Sequence, residues 1–277
     1  MKRPFDSLID IVHAVSDVAR PEDRAVFHVE IDGSKISPIN PVPKEGINME
    51  TTSRDARIIG VLIITQMVGS YLVNFVLEAP VFDAPGFLVN AASHSQQIGL
   101  AVLLGLVTEA LWVGIAVTAF PIFYRRTRTM AILLVALAVV VLAVAVAENT
   151  GLMSMVSLSE AYAKASAAER EQLQTVQVVV ASARNWPHYI SRIFAGSATF
   201  VFYAVLFRFA LIPRVLAGFG LIAAMLMVTA VTMPLFGYNV VFPMLAPLGL
   251  SQLILAVWLM TKGFRDQPGP RIERDNS

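Results

Sequence analysis

The stretch MAILLVALAVVVLAVAVAENTGL, residues 130–152, has no charged residue before Glu148 and is long enough to cross a bilayer as one helix. A helix needs about 20 apolar residues to span a hydrocarbon core of roughly 30 Å. Five further runs of this length and composition occur between residue 58 and residue 262. We therefore predict an all-α polytopic membrane protein with six spanning helices, at about 58–78, 98–124, 130–152, 187–208, 215–236 and 243–262.

The overall composition agrees with this fold class. The 277 residues are 56% hydrophobic and 15% charged, whereas a soluble domain has roughly 25% charged residues. The net charge of +1 gives no sign of the large basic surface that binds nucleic acid, so we predict no nucleic-acid partner. We expect the principal partner to be the lipid bilayer. The chain has no cysteine, which excludes disulfides and thiolate chemistry.

The orientation follows from the basic residues of the short loops, which remain on the cytoplasmic side. The loops at 79–97 and 237–242 contain no Lys or Arg, and the basic residues gather in the alternate connections: Arg54, Arg57, Arg125, Arg126, Arg128, Arg208, Arg214, Lys262 and Arg265. This pattern predicts that both termini lie in the cytoplasm.

The remaining segments lie outside the spans. Residues 1–56 form a cytoplasmic N-terminal segment and linker, or else an extension upstream of a natural start at Met49, and residues 267–277 form a cytoplasmic tail. The connection 153–186 is rich in Ala, Glu and Gln and predicts one extracytoplasmic helix, with Ser157 or Ser159 as its N-cap. Asn185 would then cap the fourth span.

The stretch RNWPHYISRIFAGS, residues 184–197, places Arg184, His188 and Arg192 four residues apart at the start of that span. This spacing puts the three side chains on one helix face. Because they lie on the side whose other loops carry almost no basic residues, they are not a topology signal, and Arg192 needs a partner. The candidates are Glu148, Glu78 or an anionic ligand.

Other polar residues also interrupt the apolar spans, where burying them is costly and marks a functional candidate. Six charged or titratable residues belong to the outer third or to mid-membrane, and they predict a polar, outward-facing cavity: Glu78, His94, Glu109, Glu148, His188 and Arg192. Gln66, Asn74 and Gln252 are predicted to be polar contacts between helices, with the cavity deepening towards Glu109 and Gln252.

The alternative interpretation of the outer cluster is a structural latch. In that arrangement Arg192 pairs with Glu148 or Glu78, Arg184 stays in water and His188 lies at the interface. Polar contacts of this kind are common between membrane helices, at about 0.5–2 kcal/mol each.

No nucleotide-binding, metalloprotease or hydrolase motif occurs in the sequence, so we assign no catalytic residue and no cofactor. The two outer histidines and the outer glutamates are residue types that bind Zn²⁺, but no tight spacing motif links them, and we predict no metal site.

Three motifs carry a resemblance to a known family. ARIIGVL (56–62) enters the first span, IPRVLAGFGLI (212–222) joins the fourth and fifth spans, and VWLMTKGF (257–264) closes the sixth. Over about residues 54–266 the chain resembles the bacterial multi-pass membrane family catalogued as domain of unknown function 4386. The resemblance implies the six-span architecture but no activity, because the family has none established. Where its last span often carries a Glu, this chain has Gln252.

Three functions compete at this point. The first is a cavity that binds or moves a small polar or anionic solute, with Glu109 as a buried proton or cation site and Arg192 with His188 at the mouth. The second is a non-catalytic regulatory or assembly subunit, with a membrane protein partner or a second copy of the chain. The least favoured is an intramembrane hydrolase or lipid-modifying enzyme, because no nucleophile stands beside either histidine.

Overall fold

A computed structural model of the protein describes residues 49–265, so the predictions for residues 1–48 and 266–277 lie outside the described residues. Within this range the chain is helical, without β-strands. The helices are α1 (Met49–Leu72), α2 (Ala79–Phe82), α3 (Phe87–Asn90), α4 (Ser95–Tyr124), α5 (Arg128–Lys164), α6 (Ala167–Arg208), α7 (Arg214–Thr232) and α8 (Ala246–Thr261). A π-helical turn, Val73–Leu77, extends α1, and 3₁₀ turns at Met233–Phe236 and Phe242–Met244 connect α7 to α8.

Six of these helices, counted within residues 49–265, are long and apolar enough to cross a membrane: α1, α4, α5, α6, α7 and α8. This confirms the predicted six-span, all-α fold. α2 and α3 have four residues each and form the connection between α1 and α4.

The long connection at 153–186 is helical, as predicted, but it belongs to α5 and α6 and is not one separate helix. α5 continues to Lys164, and α6 begins at Ala167 and runs without interruption through Pro187. Ser166 is the N-cap, and its backbone N–H donates to Glu169 Oε2 at 2.7 Å in a capping box. The predicted caps were wrong because Ser-x-x-Glu at 166–169 is a stronger start signal than Ser157, Ser159 or Asn185.

The six spanning helices pack side by side in a closed order: α1 against α4, α4 against α5, α5 against α6, α6 against α7, α7 against α8, and α8 against α1. One end of this bundle carries the loop basic residues. There the backbone N–H of Arg265 donates to the carbonyl of Leu211 at 2.7 Å, joining the end of α8 to the α6–α7 turn. We call this the basic end and the other the distal end.

The main hydrophobic core lies towards the basic end. Its largest buried side chains include Phe123, Phe202 and Tyr203, and the rings of Phe123 and Phe202 lie 5.3 Å apart. Tyr203 packs over Gly220 of α7 where any side chain would collide with the ring. The larger of the pockets described below lies in the other, distal half of the bundle.

A close contact between α5 and α6 at the distal end depends on a glycine. A Cβ built on Gly151 would lie 2.7 Å from both the carbonyl oxygen of Ala183 and the Cα of Arg184. Because both atoms belong to backbone, no side-chain rotation can relieve the collision. Gly151 therefore determines how close α6 lies to α5 at the level of Arg184.

We expect Gly151→Ala to separate α5 from α6 and to destabilise the protein by about 1–3 kcal/mol, the usual range for overpacking. Thermal unfolding of the full chain in lipid nanodiscs measures the loss. Gly99→Ala on α4 is the matched control, because a Cβ there meets nothing within 4 Å and should leave stability unchanged or slightly higher. Equal stability of the two variants would contradict the close-packing role.

Candidate functional site

One face of α6 brings three basic side chains to three carboxylates, each from a different helix or helix end. Arg184 NH2 lies 2.6 Å from Glu78 Oε2, and Arg192 NH2 lies 2.6 Å from Glu109 Oε1. Between them His188 Nδ1 lies 2.7 Å from Glu148 Oε1. The i, i+4 spacing therefore presents a ladder of three pairs, one helical turn apart.

The pairs are coupled to one another. Arg184 NH2 lies 3.7 Å from Glu148 Oε1, so that carboxylate interacts with both Arg184 and His188. The Arg184 guanidinium also lies 4.8 Å from the centroid of the Phe82 ring, a cation–π contact supplied by α2. Arg184 is thus buried by groups from three elements, with only 8% of its surface exposed.

The innermost pair lies within the apolar layer. At about 1.5 Å per residue, Arg192 is about 24 Å along α6 from Arg208, and Glu109 is about 24 Å along α4 from Arg125. A hydrocarbon core is about 30 Å thick, so both groups lie inside it. A charge at that depth requires a partner, and the two side chains provide it for each other.

Two parts of the latch interpretation were wrong. Arg192 pairs with Glu109 rather than with Glu148 or Glu78, because Glu109 is at the same depth and not deeper. Arg184 is buried against Glu78 instead of staying in water, and His188, which that interpretation puts at the interface, pairs with Glu148. His94 is separate from the cluster: its Nδ1 lies 2.9 Å from the carbonyl of Asn90, next to α3.

The π-helical turn at the end of α1 positions Glu78. The backbone N–H of Glu78 donates to the carbonyl of Val73 at 2.9 Å, a bond across five residues instead of four. A π-turn inserts one extra residue and shifts the helix face that follows. Glu78 therefore points into the bundle, where it is 6% exposed.

A cavity of about 500 Å³ lies beside the ladder in the distal half of the bundle. Arg184, His188 and Arg192 all line it, and none of the three carboxylates does. All three carboxylates instead border a void of about 20 Å³, which Arg192 also lines. The basic side chains thus form a cationic face towards the cavity, with their counter-charges behind them.

The polar stripe of α1 faces this cavity. Gln66, Ser70 and Asn74 line its wall, as does Gln252 of α8 on another side. Membrane helices bury such groups against protein or water because lipid leaves them without hydrogen bonds. Gln66, Asn74 and Gln252 were predicted to be polar contacts between helices, and the structure places all three at the cavity.

Buried polar atoms of the ladder remain without a hydrogen-bond partner among the described residues. They are Arg184 Nε, Arg192 Nε and Glu109 Oε2. Each arginine binds its glutamate through a terminal guanidinium nitrogen, and its Nε–H group has no partner among the described residues. Because a buried unsatisfied donor costs about 1–3 kcal/mol, these atoms favour an additional polar group in the site.

Sequence reasoning missed the apolar wall of the cavity. Met67, Tyr71 and Phe75 follow the polar stripe of α1 one residue later, and all three line the cavity. Their i, i+4 spacing was visible in the sequence, parallel to the polar one. Trp112 of α4 and Phe242 of the α7–α8 connection complete this wall. In residues 49–265 no group of three or more His, Asp or Glu is arranged to hold a metal ion.

We expect Arg192→Gln and Glu109→Gln each to destabilise the protein by about 3–5 kcal/mol, because each leaves a buried charge without its partner. The double variant should lose less than the sum of the two by about 0.5–3 kcal/mol. Thermal unfolding of the four proteins measures this cycle. Arg170→Gln, at an exposed position, is the control and should be close to neutral. Strictly additive losses would show that the pair is not coupled.

Comparison with known proteins agrees with the architecture. The profile of a family described as a domain of unknown function (DUF4386) matches residues 58–263. The match includes all six spanning helices and every residue of the ladder, and it confirms the resemblance drawn from the three motifs. No curated protein and no solved structure matches the chain. The chain therefore belongs to the DUF4386 family of multi-pass membrane proteins.

Proposed function

We propose that this protein binds or moves a small polar or anionic solute through the distal cavity. The observation that carries the proposal is the cationic face: Arg184, His188 and Arg192 line the cavity while their carboxylate partners do not. A solute inside this space meets guanidinium and imidazole groups but none of the three carboxylates. Arg guanidinium binds carboxylate and phosphate oxygens through its planar N–H groups, and this geometry favours an anion.

The counter-charges explain why the cavity is stable without a solute. Glu109 and Glu78 each hold one arginine at 2.6 Å, so neither arginine is an unpaired charge in a low-dielectric site. An anion that binds the parts of Arg184 and Arg192 that line the cavity adds to these pairs without having to break them. The site is thus preorganised, which reduces the conformational entropy lost on binding.

The proposal includes an orientation. The basic end faces the cytoplasm of a bacterium, in line with the positive-inside rule, and the cavity opens on the outer side of the inner membrane. Solute then reaches the cationic face from outside, while the filled half of the bundle near Phe123 and Phe202 closes the cytoplasmic side.

A regulatory or assembly subunit is the second candidate. One observation favours it: α6 displays Val176, Val178 and Val179 on its surface, and Val178 and Val179 are 70% and 68% exposed. These residues lie beyond Arg184, outside the apolar layer, where exposed valines suit contact with another protein or a second copy. In this alternative the ladder only holds helices together.

Binding is tested by thermal unfolding of the full chain in nanodiscs of zwitterionic lipid, with acetate, inorganic phosphate, choline or glycerol added. We expect acetate or phosphate to raise the free energy of unfolding by about 2.7 kcal/mol at a hundredfold excess over its dissociation constant. The double variant Arg192→Gln/Glu109→Gln should lose this effect, and Arg170→Gln should keep it. No stabilisation by either anion or by glycerol would favour the regulatory subunit.

Orientation is tested with introduced cysteines, which is direct because the chain has none. Ser93 and Arg126 are exposed, at the distal and the basic end respectively. We expect a membrane-impermeant maleimide to label Ser93→Cys in intact cells and to label Arg126→Cys only after lysis. The reverse pattern would place the cavity on the cytoplasmic side.

A further inference from the structure

We infer that the solute of this cavity is a single-chain amphiphile with an anionic head, a carboxylate or a phosphate, and an apolar tail. The inference rests on the proposed binding function and narrows it to one class of ligand. It follows from the composition of the cavity wall, the character of its rim and the basic groups of the cationic face.

The wall is mostly apolar apart from the cationic face and the polar stripe of α1. Met67 of α1, Met227 and Val231 of α7, and Leu248 of α8 all line it. A small hydrophilic anion would leave these side chains against water inside the bundle. An apolar tail fills the same space and removes both the wall and the tail itself from water. Relative to free ligand in water, each buried methylene group raises the affinity about fourfold.

The rim of the cavity is aromatic and exposed. Tyr71, Phe75 and Phe242 line the cavity and are 60%, 66% and 71% exposed, and the rings of Tyr71 and Phe75 stack at 5.3 Å. At about 1.5 Å per residue, Phe75 lies about 27 Å along α1 from Arg57, near the distal surface of the apolar layer. Aromatic side chains at this depth suit entry from the bilayer, where an amphiphile resides.

The head is assigned to the ladder. Arg184, His188 and Arg192 line the cavity, and the three glutamates that pair with them do not. Because a guanidinium group binds carboxylate and phosphate oxygens through its planar N–H groups, either arginine can hold the head. The volume of about 500 Å³ lies in the usual range for a small-ligand pocket, about 300–1,000 Å³, which suits one chain.

Trp112 provides the readout, because it lines the cavity and is only 6% exposed. The chain has three tryptophans, so Trp186→Phe with Trp258→Phe leaves Trp112 as the single fluorophore. In zwitterionic nanodiscs, 10-bromodecanoate is titrated as a quencher. Decanoate, decyl phosphate, acetate, inorganic phosphate and decanol are then added as competitors, and free concentrations are corrected for partition into empty nanodiscs.

We expect 10-bromodecanoate to quench Trp112 saturably. Decanoate or decyl phosphate should displace it at concentrations at least about tenfold below those of acetate, phosphate or decanol, which carry only the head or only the tail. Combining Arg192→Gln with Glu109→Gln should weaken binding of the anionic amphiphile at least about tenfold and leave decanol unchanged.

The tail is tested with two methionines of α7. Met227→Gln puts a polar group into the wall and should weaken bromodecanoate binding about tenfold. Met225→Gln makes the same change two residues away on the exposed face of α7 and should not. Equal effects of the two substitutions would overturn the assignment of the tail.

The outcomes separate this inference from the proposed function. If acetate or phosphate competes as well as decanoate, the site binds small anions, and the inference that its ligand is an amphiphile is wrong. If decanol competes as well as decanoate, the cationic face takes no part and the inference fails. If bromodecanoate does not quench Trp112 and neither acetate nor phosphate stabilises the protein, the proposed function fails as well.

Discussion

The pair between Arg192 and Glu109 is the constraint on which the distal half of the bundle depends. Each group alone would be a charge about 6 Å inside the apolar layer, and together they join α6 to α4 at 2.6 Å. With this contact in place, the next two turns of α6 direct His188 at Glu148 and Arg184 at Glu78. A single helix face therefore fixes the positions of α4, α5 and the end of α1 around it.

Backbone geometry supports this arrangement from two sides. Gly151 lets α5 approach α6 so closely that a Cβ there would lie 2.7 Å from backbone atoms of Ala183 and Arg184, one turn from the contact between Glu148 and His188. On the other side, the π-turn at the end of α1 shifts Glu78 towards the bundle interior. The ladder is thus held by packing as well as by charge, and its long side chains lose little further freedom when a ligand binds.

The sequence predicted the six spans correctly, because apolar length is a local signal. It did not predict the pairing of the buried charges, although depth along the helices contains that information. Counted from the basic end, Arg192 lies sixteen residues from Arg208, and Glu109 lies sixteen residues from Arg125. In the same way His188 lies twenty residues from Arg208, and Glu148 lies twenty residues from Arg128. The continuity of α6 through Pro187 was harder to predict, because a proline in a helical sequence usually lies in the first turn of a helix.

On the proposed function, the separation of the two signs of charge sets this cluster apart from a latch. A latch needs only pairs that satisfy each other. Here the arginines and the histidine also line a cavity that the three glutamates do not line, and the Nε atoms of Arg184 and Arg192 have no hydrogen-bond partner among residues 49–265. Because a buried donor without a partner is unfavourable in an apolar layer, ion pairing alone does not account for this arrangement. A ligand bound beside the cationic face is the proposal that accounts for the open volume.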